Sequence, residues 1–318
     1  MTYNVEGLPF PLRLGRGDAA RHIADRLREM RAAHVQPHVV VLQEAFGDAQ
    51  QSIGREAGYR YMAFGPDRQL SNGEPMSSED RAFADGARLL KGERSGKLLG
   101  SGLAILSDYP IVAVTRTAFP AFACAGFDCL ANKGVMMASV QVPGVAQPVA
   151  VVATHLNSKN ASGVSRDRWT YAWLRQVHTM GLFLRTHLDA GAPYVLAGDL
   201  NIGRSPARAA FFEAMLAGLP RMSEEGVVRT ALKTCLAGTD DGCTVNTPVE
   251  VRRSFAHNKD WQAYAPGAKT GVALLAVDAP FGHDVHGRML SDHIGYTALY
   301  RLATAERVDA PVRAVALR

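Results

Sequence analysis

The chain has 318 residues, of which 47% are hydrophobic and 20% charged, so it carries ample apolar material for a core. No run approaches the ~18 apolar residues of a transmembrane helix, which argues against an integral membrane protein. The net charge of +5 suits a phosphate-bearing partner, but the basic residues form no dense patch, so it is weak support for one.

The first elements alternate between strand and helix. Residues 1–5 are strand-like, and Asp18 can cap a helix that runs to about Ala33. Val39–Leu42 is a continuous apolar run, which predicts a strand buried on both faces. A second helix is predicted over 47–57.

Residues 65–100 are rich in Gly, Ser, Asp and Arg and show little periodicity. They predict a long loop insertion, either solvated or facing a substrate. Its charges look balanced, because four basic residues follow four acidic ones: Glu74, Glu79, Asp80 and Asp85, then Arg88, Lys91, Arg94 and Lys97.

The rest of the chain continues the alternation. A long amphipathic helix is predicted over about Arg166 to Leu188, and Ser205-Pro206 is typical of a helix start. Strands are predicted at Gly102–Leu106, Ile111–Thr117, Val135–Val142, Val149–Thr154, Tyr194–Ala197, Val272–Val277 and Ile294–Leu302. Without a repeat or a convincing linker, residues 1–318 predict one α/β domain.

The four cysteines form two closely spaced pairs, Cys124 with Cys129 and Cys235 with Cys243. Neither pair is Cys-x-x-Cys, so zinc or redox chemistry is not indicated. Two short-loop disulfides fit an oxidising compartment, with four independent buried thiols as the alternative. Because the chain opens inside a strand and shows no signal peptide, we expect that an N-terminal segment, such as an export signal, precedes it. A secreted or periplasmic location is therefore expected.

Polar residues of catalytic type lie at the ends of the apolar strands. Each of them alone could be a helix cap, a turn or a core residue, but five such sites at strand ends are hard to attribute to chance. They are Asn4, Glu44, His155, Asp199 with Asn201, and Asp292 with His293.

These motifs resemble, in order, those of the endonuclease/exonuclease/phosphatase superfamily, nearest its bacterial neutral sphingomyelinase branch. The resemblance covers positions 2 to 300 and rests on six motifs together. They are Thr2–Leu8, Leu42-Gln43-Glu44, Ser101–Ser107, Thr154-His155-Leu156, Gly198-Asp199-Leu200-Asn201 and Ser291-Asp292-His293.

The resemblance implies a four-layer α/β/β/α sandwich of two packed mixed sheets, and hydrolysis of a phosphoester with a divalent cation. Two features depart from the family pattern. The chain starts late in its first strand, and the family's Asp-Tyr or Asp-His strand motif reads Lys259-Asp260-Trp261, so Asp260 is assigned less firmly.

A cation held by carboxylate oxygens can neutralise the charge that gathers on a phosphoryl group during hydrolysis. We expect Glu44 to be the first metal ligand, with Asn4 beside it and Asp292 as a further ligand. Glu6 is either an acid near the metal or an exposed turn residue. Mg²⁺ is the expected ion, with Mn²⁺ or Ca²⁺ as alternatives.

Water attack needs a base, for which Asp199 and His293 are the candidates. Asp292 is expected to accept a hydrogen bond from His293, although adjacent side chains on a strand point opposite ways. Asn201 and His155 suit the phosphoryl oxygens, and the sequence does not divide acid from base between the two histidines.

Two segments bear on the substrate. Asn132-Lys133-Gly134 resembles a Lys-Gly step of the sphingomyelinase branch, so both side chains are candidate substrate contacts, with an exposed turn lysine as the alternative. Pro280-Phe281-Gly282 lies where bacterial sphingomyelinases carry an aromatic membrane-dipping hairpin. The interval here is short and holds one aromatic, so this feature is expected to be reduced or absent.

The best substrate hypothesis is a sphingomyelin-like phospholipid, hydrolysed by a monomer with peripheral membrane contact. The alternative enzyme is a secreted nuclease, which would need groove arginines such as Arg166, Arg204 and Arg208. A hypothesis of another class is a catalytically inactive binding module on the same fold.

Overall fold

A computed structural model shows two β-sheets packed face to face with helices on their outer faces, which confirms the predicted four-layer sandwich. It describes residues 1–8, 14–159, 161–224, 227–238 and 242–304. In chain order the strands are β1 (Thr2–Asn4), β2 (Val39–Gln43), β3 (Tyr61–Phe64), β4 (Ala104–Ser107), β5 (Ile111–Ala118), β6 (Gly134–Val140), β7 (Val149–His155), β8 (Tyr194–Asp199), β9 (Ser223–Glu224), β10 (Val227–Val228), β11 (Thr244–Val245), β12 (Asp260–Ala265), β13 (Thr270–Phe281) and β14 (Gly295–Thr304).

Seven α-helices lie between these strands in the described chain. They are α1 (Arg16–Ala32), α2 (Asp48–Glu56), α3 (Ser78–Asp85), α4 (Arg166–His187), α5 (Pro206–Ala217), α6 (Ala231–Ala237) and α7 (Pro248–His257). None of the described helices combines the length and apolar character needed to cross a membrane.

The larger sheet has the strand order β11-β13-β14-β1-β2-β4-β3, and the smaller has β12-β8-β7-β6-β5. Both are mixed: β1 runs parallel to β2, and β7 runs parallel to β8, whereas the other neighbours described in the smaller sheet are antiparallel. A separate two-stranded ribbon joins β9 to β10.

Strands that are apolar on both faces hold the layers together. In β2, Val40 and Leu42 face the core beneath α1 and α2, while Val41 faces the second sheet. In β7, Val152 packs towards α4, and Val151 packs between the sheets. This alternation of two buried faces is why β2 and β7 appear in the sequence as unbroken apolar runs.

Most predicted elements are found within a few residues of the expected bounds. The buried stripe of α4 includes Trp173 and Val177, and the Ser205 side chain caps α5 as predicted. The prediction of a structureless segment over 65–100 was wrong in part, because it contains α3, whose capping box joins Ser77 and Asp80. Sequence patterns also missed β3, α6, α7 and β12.

Both predicted disulfides are present, Cys124–Cys129 and Cys235–Cys243, and there is no free cysteine. The first closes the turn before β6, and the second joins α6 to the segment before β11.

Candidate active site

Three neighbouring strands of the smaller sheet place three site residues side by side. His155 ends β7, Asp199 ends β8, and Asp260 begins β12, and in the strand register His155 lies opposite Asp199 and Asp199 opposite Asp260. All three are buried. One edge of this sheet therefore carries two carboxylates and an imidazole, with Asp199 between Asp260 and His155, although the residues are up to 105 positions apart in the chain.

The larger sheet supplies the opposite wall. Asn4 ends β1, and Glu44 follows β2 directly. The Asn4 Nδ2 donates to Glu44 Oε1 at 2.8 Å and to Asp199 Oδ2 at 3.1 Å. The Asn4 side chain thus joins the two sheets at the site.

Glu44 lies in a tight left-handed turn with φ 58°. A Cβ on Gly102 would approach the Glu44 Cα to 3.1 Å, and a Cβ on Gly7 would lie 2.2 Å from the Glu44 carbonyl oxygen. The turn can form only because both neighbours are glycines. It holds a non-glycine residue in a costly conformation, which is typical of functional positions.

His293 is oriented by Asp260 and not by its neighbour Asp292. The His293 Nδ1 lies 2.8 Å from Asp260 Oδ2, and its Nε2 lies 3.6 Å from Asp199 Oδ2. Asp292 is exposed, and its backbone N–H, not its carboxylate, forms the hydrogen bond, to Glu6 Oε2. The predicted Asp292–His293 contact is therefore wrong, because adjacent side chains diverge and β12 brings a closer acid.

The pKa values of the two histidines move in opposite directions. Burial alone would lower the pKa of His293, but the charges of Asp260 and Asp199 raise it to about 10. Burial and the positive charge of Lys133 lower the pKa of His155 well below its ordinary value. At neutral pH a cationic His293 and a neutral His155 therefore lie beside the same carboxylate, that of Asp199.

Asp199 is the meeting point of these groups. Its Oδ2 lies 3.5 Å from His155 Nε2, 3.6 Å from His293 Nε2 and 3.1 Å from Asn4 Nδ2. Burial raises the pKa of the Asp199 carboxyl, while the charge of His293 lowers it. A buried carboxylate with a raised pKa is a stronger base than an exposed one.

Lys133 is buried and lies inside the site. Its Nζ is 3.2 Å from His155 Nε2, 3.1 Å from Asp128 Oδ1 and within hydrogen-bond distance of the Leu156 carbonyl. The alternative of an exposed turn lysine is wrong. Asp128 was not predicted from the sequence; it sits in a short 3-10 helix, and only folding brings it to Lys133.

Two other predicted residues, Asn201 and Asn132, hold neighbouring parts of the chain in place by hydrogen bonds. Asn201, with φ 48°, donates its backbone N–H to Asp199 Oδ1 and its side-chain N–H to the Leu156 carbonyl. Asn132 is buried and gives its amide N–H groups to the Asp67 and Leu70 carbonyls, so its observed contacts hold the 65–100 segment and none reaches the cleft. We therefore leave Asn132 out of the proposed substrate contacts.

Sequence reasoning missed Lys259, whose Nζ lies 3.4 Å from His293 Nε2. The adjacent motif residue Asp260 was the only available signal. Glu6 is not an exposed turn residue, since it is buried and forms an ion pair with Arg16 at 3.3 Å. Arg208 is also buried, where it binds the Asn201 carbonyl and lies over the Trp169 ring.

Two groups of residues could hold a cation. Glu44 is 18% exposed at its side chain, its Oε1 accepts from Asn4, and its Oε2 has no hydrogen-bond donor among the described residues. Burial raises the pKa of Glu44, so its charge lacks full compensation, and a hard cation fits that need. Asp199, Asp260 and His293 also lie close enough to share an ion, but Asp260 and His293 already bind each other at 2.8 Å.

The sequence matches the family model described as the endonuclease/exonuclease/phosphatase family over residues 1–293. Among solved structures, sphingomyelinase C from Streptomyces griseocarneus is 21% identical, with a TM-score of 0.61 over 93% of this chain and 97% of that one. A beta toxin variant from Staphylococcus aureus with bound magnesium ions is 18% identical, with a TM-score of 0.60 over 93% and 97%. A family protein from Beutenbergia cavernae is 20% identical, with a TM-score of 0.56 over 95% and 70%.

No significant match was found among curated protein sequences. The family match covers every strand of both sheets except β14, and every strand-end residue of the site from Asn4 to His293. The chain therefore belongs to the endonuclease/exonuclease/phosphatase family and is a metal-dependent phosphoesterase.

Proposed function

We propose that the protein is an extracellular, Mg²⁺-dependent phosphodiesterase that hydrolyses a sphingomyelin-like phospholipid by in-line attack of water. The observation that carries the proposal is the convergence of Asn4, His155 and His293 on Asp199 Oδ2. Similarity to sphingomyelinase C over nearly its whole length supports the lipid substrate, similarity to a beta toxin with bound magnesium ions supports the cation, and the two disulfides support an extracellular location.

We assign the cation to Glu44 and Asn4, with Asp292 at the exposed rim. When bound there, Mg²⁺ would neutralise charge on the phosphoryl oxygens. Asp199 takes the proton of the attacking water, since its pKa is raised and it lies beside both histidines.

Cationic donors surround the place where negative charge develops. His293, with a pKa of about 10, donates from Nε2, because Asp260 holds its Nδ1. Lys133 donates on the other side, where its Nζ also donates to Nε2 of the neutral His155, and Asn201 holds Asp199 in place. As the leaving oxygen departs it regains a proton, for which the His293 imidazolium is a suitable donor.

The nuclease alternative loses support from Arg208. A nuclease needs exposed cations along the path of the backbone phosphates. Arg208 cannot serve in this way, because its side chain is buried and donates to the Asn201 carbonyl. Arg166 and Arg204 remain exposed. The burial of Arg208 favours a compact lipid headgroup over a nucleic-acid strand as the substrate.

The test is parallel hydrolysis of sphingomyelin vesicles, plasmid DNA, inositol phosphates and bis-p-nitrophenyl phosphate, with Mg²⁺ or with chelator. We expect Mg²⁺-dependent release of phosphocholine and no DNA cleavage. Lys133→Met should lower turnover by ~100-fold, the scale of losing a donor to the developing charge, while the exposed Lys269→Met should not. DNA cleavage without sphingomyelin hydrolysis would reverse the substrate assignment, and no hydrolysis at all would favour an inactive binding module.

A further inference from the structure

Four large apolar side chains are exposed on one part of the surface. Leu89 is 65% exposed, Leu90 90%, Leu98 57% and Phe127 48%. Single exposed apolar residues need no explanation, but a group of them on one substructure marks a contact surface. Three of the four lie in the segment 88–98, which we call the 88–98 loop.

Hydrogen bonds make the 88–98 loop and Phe127 one unit. Glu93 accepts from the backbone N–H groups of Arg88 and Gly126, the latter at 2.8 Å. The Leu98 N–H donates to the Leu130 carbonyl at 2.8 Å, and the Lys91 Nζ lies 5.7 Å from the centre of the Phe127 ring. The apolar side chains are therefore presented together on a braced loop.

The charge that looked balanced in the sequence is separated by folding. Glu74 and Asp80 bind Arg175, and Glu93 binds Arg168, so these acids face α4. Arg88 and Arg94 are exposed, and Lys91 is half-buried over Phe127. The outer face of the 88–98 loop thus combines leucines with cations. The exposed acids Glu79 and Asp85 both lie on α3, before the loop.

This surface is continuous with the site. Phe127 precedes Asp128, whose Oδ1 lies 3.1 Å from Lys133 Nζ, and Lys133 lies 3.2 Å from His155 Nε2. By contrast, Phe281 is buried against Tyr3, with ring centres 5.0 Å apart, so it offers no aromatic to a bilayer.

We propose that the 88–98 loop and Phe127 form a docking surface for a phospholipid bilayer that carries anionic headgroups. The leucines and Phe127 enter the headgroup boundary, and Arg88, Lys91 and Arg94 meet the phosphates, which is the combination typical of peripheral lipid binding. The inference rests on the proposed function only for its lipid substrate; membrane contact itself follows from the surface.

The experiment measures vesicle co-sedimentation of the full chain in chelator, so that binding is scored without turnover. Vesicles contain phosphatidylcholine with or without phosphatidylglycerol. We expect Leu90→Glu to weaken binding about tenfold or more, since a leucine that would enter the headgroup boundary is exchanged for a charge. The pair Arg88→Gln with Lys91→Gln should lose mainly the phosphatidylglycerol-dependent and salt-sensitive part of the binding.

Matched controls carry the same substitution elsewhere. Val249→Glu, on α7, replaces a residue that is 60% exposed, and Val285→Glu replaces one that is 95% exposed in the loop after Phe281. Both should bind as the parent does, and Leu90→Glu should hydrolyse soluble bis-p-nitrophenyl phosphate at the parent's rate.

Parent-like binding by Leu90→Glu, or loss only in Val285→Glu, would overturn the proposal. So would a parent dimer that Leu90→Glu dissociates without a change in vesicle binding, since the surface would then serve a second copy of the chain. Vesicle binding without hydrolysis of any phospholipid would instead reject the proposed substrate and leave the docking surface standing.

Discussion

The ionisation of Asp199 depends on the side chains around it. One oxygen accepts the Asn201 N–H, and the other faces Asn4 and the two histidines. Burial would leave this carboxylate unstable as an anion, and the neighbouring imidazolium of His293 offsets part of that cost. The acid–base chemistry of Asp199 consequently depends on the protonation of His293.

Replacing the partner of His293 should change its pKa. Asp260→Asn removes a charge that raises that pKa, so the pKa should fall from about 10 towards its ordinary range, whereas Asp292→Asn should leave it nearly unchanged. NMR titration of the imidazole in both variants decides this. A larger shift in Asp292→Asn would restore the neighbour in sequence as the orienting acid.

The same pKa has a consequence for stability. Because the folded-state pKa of His293 is raised, its protonation stabilises the fold fully below about 6.5, and this contribution is lost as pH rises through about 10. Urea unfolding across that interval should show the loss in the parent and a much smaller one in Asp260→Asn. Equal slopes in both proteins would contradict the assignment.

The two histidines share one carboxylate, so their variants should not act independently. We expect His155→Ala and His293→Ala each to lower turnover by ~100-fold or more, and the double variant to be far less than multiplicatively worse. His22→Ala, on the exposed face of α1, is the control and should keep the parent's turnover. Multiplicative losses would show that the histidines serve separate steps.

At the level of elements, the strands that could be predicted from the sequence are those made of continuous apolar residues. The runs Val39–Leu42 and Val149–Ala153 are apolar on both faces, and catalytic-type residues follow them. β12 was not predicted in this way: Asp260-Trp261-Gln262-Ala263 alternates polar and apolar residues, but so short an alternation is a weak signal, and the strand is fixed by pairing with β8. The partner of His293 was therefore missed, since it depends on a pairing between distant segments.

Arginines of α4 hold the 65–100 segment in place. Arg168 Nε lies 2.6 Å from Glu93 Oε1, and the Glu93 side chain is 1% exposed. Arg168→Met should leave that charge buried without its partner and destabilise the docked segment by about 3 kcal/mol. Limited proteolysis should then cut within 86–98, and Arg166→Met, at an exposed neighbouring position, should stay resistant.

Adding Glu93→Gln to Arg168→Met removes the unpaired charge and should restore much of the resistance. If Arg168→Met alone is as resistant as the parent, the ion pair does not hold the segment. The 88–98 loop would then be braced by its contacts to Gly126 and Leu130 alone.

The short disulfides constrain two further loops. Cys235–Cys243 closes a separation of 8 residues and Cys124–Cys129 one of 5. Each should contribute about 2 kcal/mol by limiting the unfolded chain, so Cys235→Ser with Cys243→Ser should lower the free energy of unfolding by that amount. Mass spectrometry of alkylated protein from an oxidising compartment should find no free thiol, and four alkylated cysteines would contradict the extracellular assignment.

At the scale of the whole molecule, the site exists only where the two sheets meet. Asn4 and Glu44 come from one sheet, and His155, Asp199 and Asp260 from the other. The Asn4 side chain links the two sheets directly. A cation held at Glu44 binds next to this junction, so metal binding should stabilise the folded chain as a whole.

Mg²⁺ at about one hundred times its dissociation constant should add about 2.7 kcal/mol to the free energy of unfolding and raise the Tm by several degrees. Glu44→Gln should abolish this rise, because the charge that holds the cation is gone, while the apo protein stays folded. Thermal unfolding with Mg²⁺ and with chelator measures it, and the exposed Glu79→Gln is the matched control. If Glu44→Gln keeps the full rise and Asp260→Asn loses it, the cation binds among Asp199, Asp260 and His293 instead.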